Sequence, residues 1–489
     1  MGLPLVYVGL RAWQAGPAGI AAELLRERTL MLLANTVTLA VGVTAGACVI
    51  GVAVAWCVER SDLPGRRWWR IAASLPLAMP AFVASYAWSS VDVALQSLGG
   101  AIFVLTIVVY PLVYLPVGAA LRGIDPAFED VARSLGKGPW RTFFTVVLPQ
   151  AWPALGAGAL LVLTHMMAEF GALSLLRVQT FTTAIFQSYE LQFDSASAAL
   201  QSAVLMALCL PPAWGEMRLR RRLHVARAGR GSARRPAPAA LGRLVAPAVA
   251  GFGLLLALSL GVPFAMLAYW LAVGTSAGSD LGELVPSIAG SLGLALPGAA
   301  IVVALALPLV FASVRHPGPL SRLADRLPYV VHGLPGIVVA LALVFLSIRY
   351  ARPLYQTALL LFLAYAMLFL PIAQSALRAS IELVPPKLEE LARGLGRKPF
   401  AAFTAVTLPN ILPGVGAALA LIVLEVMREL TATLMLVPTG VTTLATEVWS
   451  HSNDGEFAAA APFAVLLVLV SALPVYVFTR RSTEVYDLQ

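Results

Sequence analysis

Apolar stretches of eighteen or more residues recur from one end of this chain to the other, and each is long enough as a helix to cross about 30 Å of hydrocarbon. With 59% hydrophobic and 12% charged residues among 489, there is too little polar side chain to cover a water-soluble body of this size. Eleven spans are expected: 29–57, 71–91, 98–121, 150–176, 196–215, 243–273, 288–313, 327–349, 356–377, 410–435 and 457–479. The runs are continuous rather than alternating, so they read as helices and not as barrel strands. The fold class is therefore an all-α polytopic membrane protein.

The net charge of +9 would suggest nucleic acid in a soluble protein, but its placement argues for topology. Basic residues gather in every second loop: Arg60, Arg66, Arg67 and Arg70; Arg122, Arg133, Lys137 and Arg141; Arg218 to Arg243; Arg315, Arg322 and Arg326; Lys387, Arg393, Arg397 and Lys398; Arg480 and Arg481. Arg177, Arg349 and Arg352 are the exceptions. The rich loops are cytoplasmic by the positive-inside rule, and no nucleic-acid partner is implied. Cys48, Cys57 and Cys209 lie in or beside apolar spans without metal-ligand spacing and read as small hydrophobes. Residues 1–28 show no cleaved-leader pattern and read as too short and too charged to span.

Two cytoplasmic segments match at a constant offset of 260 residues: DPAFEDVARSLGKGPWRTFFTVVLPQAWPALGAG from Asp125 and PPKLEELARGLGRKPFAAFTAVTLPNILPGVGAA from Pro385. Glu129 pairs with Glu389, Arg133 with Arg393, Gly136 with Gly396, Pro149 with Pro409 and Glu169 with Glu429. At an offset of 255, Arg60, Pro64 and Pro80 correspond to Arg315, Pro319 and Pro335. Six spans separate the motifs, so the two repeats enter the membrane in the same sense and are parallel. The expected order is an N-terminal segment 1–28, a first repeat 29–215 with its cytoplasmic loop 125–149, a basic linker 216–242, and a second repeat 243–489 with its loop 385–409. The linker's arginines suit a cytoplasmic connection and contact with anionic membrane lipid.

Each cytoplasmic segment reads as a short proline-initiated helix with an acid and a base four apart, stopped at Gly136 or Gly396. A small rigid element present twice on the inner face suits two copies of a soluble motor. Asp130-Val131-Ala132, Gly136 and Val146-x-Leu148-Pro149, repeated as Glu390-Leu391-Ala392, Gly396 and Val406-x-Leu408-Pro409, resemble the EAA loop of binding-protein-dependent ABC importer permeases. Val131 and Leu391 replace the motif's first alanine, and Asp130 its glutamate.

The resemblance covers nearly the whole chain and implies two parallel repeats of the ABC importer permease (MetI-like) fold. It implies coupling to the ATPase through Glu129, Asp130, Ala132, Gly136, Pro149, Glu389, Glu390, Ala392, Gly396 and Pro409. No G-x-x-x-x-G-K-[ST] sequence occurs, so the implied partners are two copies of a separate ATPase subunit carrying ATP and Mg, together with a periplasmic binding protein. No catalysis and no cofactor is expected on this chain. Relatives of the fused type carry six spans per half. The first half here has five, and Pro4-Leu5-Val6-Tyr7 looks like the tail of the missing helix; with nothing upstream, the N-terminus would be extracytoplasmic.

The segments after the loops resemble the ferric-iron group of fused permeases more than the thiamine, polyamine or sulfate groups. His165 and Glu169 are four apart, as are Glu425 and Glu429, so each pair shares a helical face. Carboxylates inside spans usually face a cavity or a partner, and oxygen ligands suit a hard cation. Glu169 and Glu429 are thus candidate transient iron ligands, against the alternative that they only fix helix packing. Pro80 and Pro335 are candidate kinks. Gln187, Tyr189, Glu190, Asp194, Asp454 and Glu456 are candidate contacts for a binding protein. An ion-gradient-driven secondary transporter is the competing class, but it leaves the two surface helices without a purpose.

Overall fold

A computed structural model describes residues 2–125, 127–226, 239–274 and 281–471. Residues 227–238 of the basic linker, the end of the last expected span, and Arg480 and Arg481 lie outside them. Among the described residues the fold is helical, and a lone parallel bridge joins Ser61 to Ala239. In hydrocarbon every backbone donor and acceptor must be satisfied within the chain, and continuous apolar sequence does this as helix.

Among the described residues eight helices are long and apolar enough to cross a membrane: Glu27–Arg60, Leu98–Gly123, Trp140–Ala168, Ser195–Glu216, Gly242–Val273, Gly282–Arg315, Ala358–Leu383 and Pro399–Arg428. Each falls on an expected span. Of the other three expected spans, two are interrupted and the last is described only as far as Ser471. Stretch 71–91 is broken, with Arg66–Ala78 and Ala81–Ser89 meeting at 82°. Stretch 327–349 is divided between Pro319–His332 and Gly336–Tyr350, and the last is Phe457–Ser471. Pro80 and Pro335 stand immediately before the second piece of each broken pair, with ψ of 136° and 141°. A proline disfavours helix in the residue before it and cannot donate, so the chain turns there rather than bending within one span.

The chain forms two compact units whose limits cut across the expected repeats. One comprises Gly19–Thr275 and Ser452–Ala461; the other comprises Met1–Ala18, Ser276–His451 and Pro462–Gln489. In the Gly19 unit, the helix that follows the linker packs on the first repeat's broken pair: the Phe252 ring lies 5.2 Å from that of Trp69, and Trp270 stacks on Phe457 at 5.6 Å. In the Ser276 unit, the expected N-terminal segment is part of a helix, Leu3–Leu24, interrupted at Gly16 (φ 66°). Tyr7 lies 4.8 Å from Phe345, and the Arg11 guanidinium sits 4.5 Å over the same ring. Leu3–Leu24 is not among the described helices that are long and apolar enough to cross a membrane, in keeping with the charge of residues 1–28, and Glu23 pairs with Arg26 at 2.8 Å.

Small residues set the closest approaches between helices. In the Gly19 unit a Cβ on Gly51 would lie 3.0 Å from the Tyr114 backbone nitrogen. In the Ser276 unit a Cβ on Gly290 would lie 2.0 Å from the Thr442 carbonyl oxygen. The residue matching Gly290 at the 255 offset is Asn35, whose amide reaches the Gln179 carbonyl at 3.0 Å. Gly290→Val must therefore push the 436–443 segment away from its helix. Overpacking of this kind costs about 1–3 kcal/mol or more, and the purified variant is expected to melt several degrees lower with reduced yield. An unchanged thermal midpoint would contradict the contact.

The cytoplasmic ends are tied by ions. In the Gly19 unit the Glu59 carboxylate, 1% exposed, accepts from Arg70 at 3.0 and 3.1 Å and from Arg122 at 2.5 Å. In the Ser276 unit Arg378 donates to Asp325 and to Ser313 at 3.0 Å, and lies 3.9 Å from Glu382. Asp325 stands 255 residues after Arg70, and Glu382 stands 260 after Arg122. The flanking positions thus recur with opposite signs, while the central residue shifts from Glu59 on one helix to Arg378 on another, since these two do not correspond at either offset.

Candidate functional site

Both cytoplasmic loops fold into the expected short helices, Ala127–Ser134 and Pro386–Gly394. Gly136 (φ 77°) and Gly396 (φ 84°) end them in the left-handed conformation. The amides of Lys137 and Arg397 return to the carbonyls of Ala132 and Ala392 at 3.1 Å, and those of the two glycines to Arg133 and Arg393 at 2.9 Å. This closure satisfies the terminal carbonyls and requires a residue that tolerates positive φ. Each helix is followed by a four-residue helix and a wide turn, Phe143–Val147 or Phe403–Thr407, leading into a long helix with Pro149 or Pro409 at its second position. The proline ring excludes the carbonyl four residues back from ordinary helix geometry. The ladder opens instead to Leu148 N to Phe143 O, and Leu408 N to Phe403 O.

The ten residues expected at this surface divide by side. Asp130, Glu390, Gly136, Gly396, Pro149 and Pro409 are exposed, while Ala132 and Ala392 are buried against the spans. Glu129 and Glu389 turn inward. Glu129 meets Arg60 at 2.9 Å and Arg133, the base expected four residues on, at 3.8 Å. Glu389 meets Arg315 at 3.7 Å and accepts from Thr407.

Outward stand Phe128 and Val131 on the first helix with Leu135 just past its end, and Leu388 and Leu391 on the second with Leu395 just past its end. Leu135 is 75% exposed and Leu395 86%. These six recur at the 260 offset, three to a helix. The sequence carried the signal, since apolar residues at i, i+3 and i+7 in a polar segment make a helical stripe. The stripe leaves an uncovered apolar ridge on each of the two cytoplasmic segments.

Past each ridge, the long helix stops at Glu169 or Glu429. Each carboxylate accepts from a backbone amide at the start of the next short helix: Ala172 N to Glu169 Oε1 at 3.0 Å, and Ala432 N to Glu429 Oε1 at 2.6 Å. Each backbone carbonyl of the pair also accepts from a threonine, Thr182 at 2.7 Å and Thr433 at 2.8 Å. Glu429 further lies against the start of Gly336–Tyr350, where a Cβ on Gly336 would be 3.3 Å from Oε1. Amide groups at helix N-termini favour a negative carboxylate.

His165, half exposed, places Nε2 3.9 Å from Glu169 Oε2, so that pair meets as the spacing predicted. Glu425, partly exposed, stands one turn before Glu429. Among the described residues no three His, Cys, Asp or Glu side chains group closely enough to hold a metal ion. The packing role and the polar face coexist, because capping occupies one oxygen of each carboxylate.

Toward the opposite ends of the spans, Gln187 accepts from Arg28 at 3.4 Å. Asp194 caps the helix starting at Ser195, and hydrogen bonds from Ser197 hold its carboxyl below the usual range. Glu190, Asp454 and Glu456 are exposed, Tyr189 is partly so, and Phe193 projects nearly bare at φ 52°.

The family model for binding-protein-dependent transport system inner membrane components matches the chain twice, over residues 47–224 and 304–484. The chain is 44% identical, over 98% of its length and 96% of the relative's, to the Fe(3+)-transport system permease protein FbpB 2 of Haemophilus influenzae. Partial matches include the molybdenum transport system permease protein ModB of Escherichia coli, 31% identical over 25% of this chain and 60% of that one. The sulfate transport system permease protein CysT of Escherichia coli is 30% identical over 33% and 66%. The double match accounts for the duplicated surface helices and places their spans in the bacterial inner membrane: this chain is a member of the family of binding-protein-dependent transport system inner membrane components.

Proposed function

We propose that this protein is the permease of an ATP-driven importer that takes ferric iron from a periplasmic binding protein. The reading is carried by the near full-length identity to an Fe(3+)-transport permease. The repeated ridge gives two seats for two ATPase subunits, where ATP and Mg are bound and the ATP is hydrolysed. Docking would place Phe128, Val131 and Leu135, or their counterparts, in a groove of each subunit, with Asp130 or Glu390 at the rim. Closure of the ATPase pair on ATP then moves the two surface helices and switches access to the pathway. Glu169 and Glu429 would receive the cation in passing, each with a helix break fixing its position. A carboxylate repels an oxyanion, so the sulfate and molybdenum relatives are weaker guides to cargo than the full-length one.

The test is reconstitution of the chain with its ATPase in proteoliposomes, with ferric-loaded binding protein outside. Uptake of radiolabelled iron that requires ATP is expected, with hydrolysis stimulated by the loaded binding protein. Stimulation by a molybdate- or sulfate-loaded protein with none by the ferric one would overturn the cargo. Uptake driven by an ion gradient without the ATPase would overturn the class.

A further inference from the structure

Arg60 and Arg315 are the last residues of two long helices, Glu27–Arg60 and Gly282–Arg315, and correspond at the 255 offset. Long cations at helix ends normally reach for water, yet Arg60 is 5% exposed and the Arg315 side chain 9%. Both turn to a surface helix. Arg60 Nη1 lies 2.9 Å from Glu129 Oε1, and among the described residues no aligned hydrogen bond reaches that guanidinium. Arg315 Nε lies 3.7 Å from Glu389 Oε1, while Nη2 donates to the carbonyls of Val384 at 2.7 Å and Ile381 at 3.4 Å. Those carbonyls end the span Ala358–Leu383, where a cation is favoured. One arginine thus fastens a surface helix to the ends of two spans.

The surface helices have little else to hold them. Each is a two-turn element too short to be stable alone, its outer face is bare, and of its residues only Ala132, or Ala392 with Glu389, is buried. A glycine joint follows each, at Gly136 and Gly396. Without a rigid attachment such a helix pivots at its joints, and a displacement applied to it is lost before reaching the spans.

We propose that the Arg60–Glu129 and Arg315–Glu389 pairs are stroke latches: the arginines are positioning residues that make each surface helix move as one body with the span ending beside it. The inference rests on the importer reading above. It assigns the glutamate before the acidic residue of each motif to the permease itself rather than to the ATPase. The ridge binds the motor; the latch transmits its movement.

The test uses the complete complex with binding protein in proteoliposomes. The Arg60→Gln, Arg315→Gln chain is expected to co-purify with the ATPase, because the ridge is untouched, and to hydrolyse ATP. Iron taken up per ATP hydrolysed is expected to fall at least tenfold, and hydrolysis should no longer respond to the binding protein. A purely structural role would lower yield without changing that ratio. The exchanged pair Arg60→Glu, Glu129→Arg should recover most of the ratio lost in Arg60→Glu alone. Wild-type stoichiometry in the double glutamine chain overturns the latch, as does a folded exchanged pair that recovers nothing. If the glutamine chain fails to reach the membrane, the exchanged pair decides. Absence of ATP-dependent uptake by the unaltered complex would instead sink the importer reading.

Discussion

Replacing Glu169 and Glu429 together with glutamine is expected to reduce ferric uptake on the order of a hundredfold, with the ATPase still bound. Glutamine keeps a carbonyl oxygen able to accept from Ala172 or Ala432, so the helix breaks persist. What disappears is the negative charge. Charged hydrogen-bond acceptors are worth roughly 1.5–3 kcal/mol, about one to two factors of ten, and two are removed. Alanine at the same positions would also release the caps and confuse the result. Single replacements should cost less, and His165→Gln least, because that ring is half exposed and touches Glu169 from one side. Undiminished iron uptake by the double glutamine chain would leave the carboxylates with only their capping role.

Charging the ridge should have the other large effect. Leu135→Glu with Leu395→Glu is expected to abolish co-purification of the ATPase, since burying a leucine contributes about 1.5–3 kcal/mol and each replacement also buries a carboxylate. The spans should be untouched, as both leucines are bare in the permease. Substitution of Gly136 and Gly396 separates conformation from bulk. A Cβ at either meets nothing within 4 Å, so the penalty is the left-handed backbone, roughly 1–2 kcal/mol for alanine and more for a β-branched residue. Alanine should weaken the complex several-fold, and valine more. Retention of the ATPase by the Leu135→Glu, Leu395→Glu chain would move the docking site elsewhere.

Much of this was legible before any coordinates. The 260 offset located both surface helices, and Gly136 and Gly396 marked their ends, because a left-handed stop leaves a local trace in sequence. Interruptions inside apolar sequence left less. Residues 71–91 and 150–176 are apolar on average, with Glu169 a lone carboxylate in the second, so the turn at Pro80 and the stop at Glu169 do not show in hydropathy. They come from a proline that cannot donate and from a carboxylate that caps a new helix. The inward turn of Glu129 and Glu389 was also hidden, since their partners Arg60 and Arg315 lie far back along the chain. Spacing alone suggested Arg133 and Arg393. The places of Leu3–Leu24 and Gly242–Val273 depend on which ring a lipid-compatible helix finds, on Phe345 and Trp69, and apolar periodicity does not encode that choice.

The ion joints of opposite sign carry a historical consequence. A freshly duplicated gene would give both halves identical charges at this joint, and a chain built from two copies of either half would still satisfy itself. Here Glu59 requires Arg70 and Arg122, whereas Arg378 requires Asp325 and Glu382. Copying one side of the joint across, as in Asp325→Arg, would set like charges together beside Arg378, so such an exchange is expected to lower stability. The reversed signs make the two halves non-interchangeable at this joint.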